Sequence, residues 1–140
     1  IVHCGSGGLG QATKICNNML AGINALAAAE AMTMGERLGV SPDILYEVIS
    51  TSTGRSYIFE TSNPMPDVCS TSPANNKFKP GFMAKLMLKD LRLSQAAAQD
   101  AKTSTPLGAA ATAAFQQLID SGFGDLDTSS IIKVIKPESK

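Results

Sequence analysis

From Gln11 to Leu38 the chain is an almost unbroken run of helix formers, and this run constrains the fold more than any other feature. Alanine, leucine, methionine and glutamate dominate it, residues that lose little freedom in a helical backbone. Ile15, Met19, Ile23, Leu26 and Ala27 follow an i, i+4 track, and the alanines between them allow other helices to approach closely. Gly39 stands where the helix should end. A helix this long, with alanine on several faces, is expected to be buried at the centre of the fold.

The rest of the chain repeats the helical period. Ser41-Pro42 is a restart, with serine at the N-cap, proline at the first helical position and Asp43 in the first turn. That helix carries Ile44, Leu45, Val48 and Ile49 and should end near Ser50. Between Thr51 and Pro80, Pro64, Pro66, Pro73 and Pro80, with Asn63, Asn75 and Asn76, exclude long regular structure. A short helix is expected around Tyr57 to Thr61, inside a loop long enough to carry function. Helical periodicity resumes from about Phe82 to Lys102, again from Leu107 to Asp120 with a stop at Gly122, and last from about Ser129 to Val134, introduced by Asp127-Thr128. The expected class is all-α, a multi-helix bundle around one long central N-terminal helix.

Composition excludes several functions. Twelve Lys and Arg balance twelve Asp and Glu, and no basic stripe is present, which argues against nucleic acid as a partner. No apolar run is long enough to span a bilayer, so no membrane partner is expected; that the start shows no signal-peptide pattern decides nothing. Cys4, Cys16 and Cys69 are widely spaced and His3 is the single histidine, a set with no metal-binding pattern. Cys16 is expected to be a small buried hydrophobe on the long helix. The chain opens on Ile1, and residues 1–10 read as the tail of something upstream. Residues 11–140 then form the helical domain.

The chemistry concentrates where these parts meet. Gly5, Gly7 and Gly10 fit a GxGxxG spacing, and Ile1-Val2-His3 reads as the end of a strand before it. A dinucleotide cradle also requires a second strand opening on an acidic residue, and Met19 to Glu30 is helix former instead. A hinge between a strand and the long helix accounts better for the glycines. One turn inside the helix, Lys14 and Asn18 stand four residues apart and share a face. A lysine so placed can exchange a proton with a hydroxyl while the asparagine orients both partners. The plainer readings are a solvated first-turn lysine and asparagines bonded to neighbouring backbone. By pattern alone Lys89-Asp90 reads as surface charge, Phe82 as core, and Arg55 as a solvated turn arginine with some capacity to bind a carboxylate.

Several segments together resemble the C-terminal domain of the β-hydroxyacid dehydrogenases, in particular their 3-hydroxyisobutyrate branch. They are the run from Gly5 to Asn18, Glu30-Ala31-Met32 followed by Gly39, Thr53-Gly54-Arg55-Ser56, Asn63-Pro64-Met65-Pro66, and Gly81 to Leu91 with its Lys89-Asp90. The likeness covers nearly the whole chain. It implies the helical half of a two-domain oxidoreductase, akin to the C-terminal domain of 6-phosphogluconate dehydrogenase-like enzymes, with an N-terminal Rossmann half outside this chain. The implied reaction converts 3-hydroxyisobutyrate to methylmalonate semialdehyde in valine catabolism, with NAD or NADP as cofactor and the choice between them made in the Rossmann half. By the same resemblance Lys14 is the catalytic lysine and Asn18 the substrate-orienting asparagine. Lys89 and Asp90 lie against the cofactor, and Phe82 lies over the substrate pocket. The implied location is the mitochondrial matrix in a eukaryote and the cytoplasm in a bacterium. Long alanine-rich helices, with Met19, Met32, Met34, Met83 and Met87 as adaptable apolar surface, lead us to expect a homo-oligomer, a dimer or tetramer. Two other readings stay open: a non-catalytic helical interaction module, and a sibling reductase of another short hydroxy acid or semialdehyde.

Overall fold

The computed structural model describes residues 2–137. Six α-helices follow one another among these residues: α1 (Leu9–Arg37), α2 (Pro42–Ser50), α3 (Tyr57–Thr61), α4 (Ala84–Asp100), α5 (Pro106–Asp120) and α6 (Ile132–Ile135). Short 3₁₀ turns cover Pro73–Asn76 and Thr128–Ile131. No strand occurs among the described residues, and Met83 and Asp127 share a single isolated bridge. The all-α class expected from the periodicity is the class observed.

Helix ends follow local chemistry. Gly39 and Gly122 take φ values of +93° and +89°, a left-handed conformation that glycine adopts without steric cost. Each closes a paired backbone lock: Val40 N–H reaches Gly35 O and Gly39 N–H reaches Glu36 O after α1, and Phe123 and Gly122 do the same onto Leu118 and Ile119 after α5. After α4 the left-handed position falls on Lys102, with φ of +53°. That is why no glycine marks this end and why periodicity alone carries the helix two residues too far.

The core is built from one stripe on each main helix. Gly22, Ala25, Ala29 and Met32 of α1 face Ala84, Met87, Leu88 and Leu91 of α4 and Ala111, Phe115 and Leu118 of α5, all buried. These spacings of three and four make a continuous apolar seam on a 3.6-residue helix. α1 packs on both α4 and α5, and those two pack on each other.

The long helix is buried only from Gly22 onward. Residues 9–14, Cys16 and Asn17 are exposed, so the expectation of a helix buried along its length holds for its C-terminal half alone. The physical reason is that α4 and α5 meet the N-terminal half along one face only, at Asn18 and Met19, and leave its other faces open. Cys16 is correspondingly exposed, not a buried hydrophobe. On α2, Leu45 and Ile49 pack on the core while Ile44 and Val48 stay exposed. Val2 and His3 form no strand, and Ile1 lies outside the described residues.

The segment between α3 and α4 is held by buried polar groups in place of helix. Asn63, fully buried, accepts the Met65 N–H and donates to Phe59 O, and Ser72 Oγ donates to the Asn63 carbonyl. Asn75 accepts from Asp67 N and donates to Cys69 O. The asparagines that exclude regular structure in the sequence thus supply the bonds that order the loop.

Candidate active site

At Gly22 side chains of α4 press onto the α1 backbone: a Cβ there would lie 2.9 Å from Leu91 Cδ2 and 3.1 Å from Met87 Sδ. One turn before this contact stands Asn18, and opposite it on α4 stands Asp90. Asn18 Nδ2 donates to Asp90 Oδ2 at 2.7 Å, and Asn18 Oδ1 accepts from Asn17 Nδ2 at 3.1 Å. The amide of Asn18 is therefore gripped at both ends, with one N–H left to direct. Because one partner is a carboxylate, the Asn18–Asp90 bond is the stronger of the two.

Lys14, Asn18, Lys89 and Asp90 line one cleft of about 70 Å³, with Gln11, Ile15 and Leu93 completing it. The two lysines are exposed at the rim, and Asn18 and Asp90 sit deeper. Two ammonium groups against one carboxylate make the cleft a place that favours a small anion. Asn18 also lines a second and larger cavity of about 470 Å³, where Phe82, Tyr57, Thr61, Thr71 and Asp127 stand. Phe82 therefore lies on the second cavity, separated from Lys14 but joined to it through Asn18.

Other titratable groups lie behind this wall. Tyr46 donates its phenol to Glu60 O at 2.7 Å and stacks on Phe59; burial raises its pKa. The Cys69 thiol donates to the same carbonyl. Burial pushes its pKa up, but hydrogen bonding, led by Thr71, outweighs burial and lowers it. Arg55 pairs with Glu60 at 3.0 Å on the surface, which occupies the guanidinium that the sequence left as a candidate anion ligand. Among the described residues no group of three His, Cys, Asp or Glu could hold a metal ion, and no helix is long and apolar enough to cross a membrane.

Sequence reading missed two parts of this arrangement. Tyr57 and Thr71 sit on the cavity because α3 packs on α1 and the Pro73 turn packs on the Thr128–Ile131 turn, contacts with no signature in local pattern. Asp127 reads in the sequence as a helix introducer, and its side chain does accept from Ser129 N at 2.9 Å. Its other carboxylate oxygen reaches back across the fold to Gly81 and Phe82.

An all-α domain that sets a lysine–asparagine pair on one helix against a lysine–aspartate pair on another defines the class. Residues 8–135 match the profile described as NAD-binding of NADP-dependent 3-hydroxyisobutyrate dehydrogenase, and the chain belongs to that family. It is 40% identical over 138 residues to the mitochondrial 3-hydroxyisobutyrate dehydrogenase of Drosophila melanogaster, covering 99% of this chain and 43% of that protein. It is 39% identical to the NAD-dependent L-serine dehydrogenase of Pseudomonas aeruginosa, over 98% of this chain and 46% of that one. Among solved structures, Mycobacterium tuberculosis 3-hydroxyisobutyrate dehydrogenase with L-serine superposes with a TM-score of 0.92 at 41% identity, over 97% of this chain and 46% of that chain. The chain spans less than half the length of these relatives.

Proposed function

We propose that this chain is the helical, substrate-facing part of a dehydrogenase that oxidises a short β-hydroxy acid with NAD or NADP. The observation that carries the reading is the shared cleft: four polar residues from two distant stretches of sequence, Lys14, Asn18, Lys89 and Asp90, line one small opening. A non-catalytic packing module has no use for such an assembly.

The cleft is far smaller than a dinucleotide, and the Gly5–Gly10 turn has no strand before it among the described residues. The residues present fit only the reacting end of the cofactor, with Lys89 and Asp90 beside it. A Rossmann half in the longer protein would hold the remainder. When bound, a nicotinamide supplies the hydride acceptor. Lys14 takes the hydroxyl proton onto Nζ as the alcohol carbon gives up its hydride. In the reducing direction the Lys14 ammonium returns that proton. Asn18, with its amide fixed by Asp90 and Asn17, directs its remaining N–H at the substrate, and Phe82 closes the adjoining cavity over it.

3-Hydroxyisobutyrate, a valine-breakdown intermediate, and L-serine both fit this chemistry. Each carries a carboxylate and a primary alcohol, and they differ by a methyl against an ammonium on the carbon between. Relatives named for each substrate stand at nearly equal identity, so both belong in the assay. The proposed location is the mitochondrial matrix in a eukaryote and the cytoplasm in a bacterium.

The test is made in the full-length enzyme. Lys14→Ala should lower the turnover number by about 100- to 10,000-fold, the usual weight of general acid–base catalysis, with little change in cofactor affinity. Lys14→Arg keeps the charge but cannot deprotonate, so it should be nearly as slow. Near-full turnover in the arginine variant would remove Lys14 from the proton path.

A further inference from the structure

We propose that Asp127 is a positioning residue of this site: its carboxylate sets where Phe82 stands over the cavity shared with Asn18. The inference rests on the reading that this cavity receives substrate. Asp127 is 3% exposed, and it spends its oxygens on neutral donors. Oδ2 accepts from Gly81 N at 3.0 Å and from Phe82 N at 2.9 Å, while Oδ1 accepts from Ser129 N at 2.9 Å and Ser129 Oγ at 2.7 Å. The backbone doubles the hold, since Asp127 N–H reaches Phe78 O and Thr128 N–H reaches Phe82 O, both at 2.9 Å. Both ends of the Phe78–Phe82 segment are thus tied to one dipeptide.

The segment needs such a tie. Lys77 and Phe78 lie at φ of +50° and +58°, consecutive left-handed positions that side chains other than glycine disfavour. Left alone, this backbone would relax and carry Phe82 away from the cavity. A helix N-cap needs one carboxylate oxygen. The second oxygen of Asp127 is turned 45 and 46 residues back in the chain, onto the two amides that place Phe82.

Asparagine at this position is the discriminating change. It has the same shape, but its NH2 must face either the Gly81 and Phe82 amides or the Ser129 N–H and hydroxyl, so one side is set donor against donor. In the full-length enzyme, assayed with 3-hydroxyisobutyrate and L-serine, Asp127→Asn should lower kcat/KM by about tenfold to a hundredfold, the cost of misplacing a substrate-positioning group. Most of the loss should fall on KM. Met32→Ala, a core truncation distant in sequence from this tie, serves as the control for lost stability and should leave KM unchanged at a similar drop in melting temperature. Because Asp127 acts through Phe82, Asp127→Asn added to Phe82→Ala should cost no more than Phe82→Ala alone. Should Asp127→Asn fail to fold, Ser129→Ala loosens the same carboxylate and is judged by the same comparison, with a smaller expected loss. Additive losses, or unchanged kcat/KM alongside lost stability, would overturn the positioning role. If Lys14→Ala also keeps full turnover, the site itself has been misread. If Lys14→Ala is slow and Asp127→Asn is not, Asp127 alone has been.

Discussion

Asn18 shows how much one side chain depends on its neighbours. Its amide oxygen and one amide hydrogen are already committed to Asn17 and Asp90. In isolation Asp90 looks like surface charge; here it decides which way Asn18 points. A hydrogen bond to a charged acceptor contributes about 1.5–3 kcal/mol, enough to hold one amide rotamer. We therefore expect Asp90→Ala and Asn18→Ala each to weaken substrate binding and turnover in the full-length enzyme, and the double variant to be little worse than Asn18→Ala. A double-mutant cycle on kcat/KM measures this, and fully additive losses would mean that the two residues act independently.

At the scale of helices, the site exists because α1 and α4 touch closely at Gly22. Leu91 is fully buried and Met87 nearly so, leaving neither free to yield to an added side chain. Gly22→Val should overpack this crossing and destabilise the domain by about 1–3 kcal/mol, seen as a lower urea midpoint. Stability as high as wild type would show that the helices can shift. Such a shift would also move Asp90 relative to Asn18, so a surviving Gly22→Val enzyme should be slower as well as weaker.

For the whole molecule, the surface matters as much as the core. Of the methionines expected to offer adaptable surface, Met32 and Met87 are core residues, and Met34 is the one left widely exposed. Leu38 is exposed too, and Met34 and Leu38 line, with Ala27, Ala31 and Ile135 beside Glu30, Thr33 and Arg37, a groove of about 510 Å³. Apolar surface gathered in this way marks an interaction face. We propose that it is covered by a second copy of the protein. Light scattering of the full-length enzyme should give at least a dimer, and Met34→Glu with Leu38→Glu should shift it toward monomer with unchanged circular dichroism. A clean monomer for the unaltered protein at high micromolar concentration would refute this.

Local physics was enough for the helices themselves. The proline at 42, the glycines at 39 and 122 and the three-four spacing of apolar residues act within a few bonds, so they are legible in one dimension. The four polar residues of the cleft were also legible, Lys14 and Asn18 by helical spacing and Lys89 and Asp90 through the resemblance. Their meeting was not, because it depends on the α1–α4 crossing at Gly22, a contact between side chains far apart in the chain. Burial likewise belongs to tertiary structure: Cys16 and Met34 end exposed because, among the described residues, no other element covers the faces they occupy. Asp127 is the clearest case. Its sequence neighbours explain the oxygen that caps the 3₁₀ turn, and only the folded chain brings Gly81 and Phe82 within reach of the other.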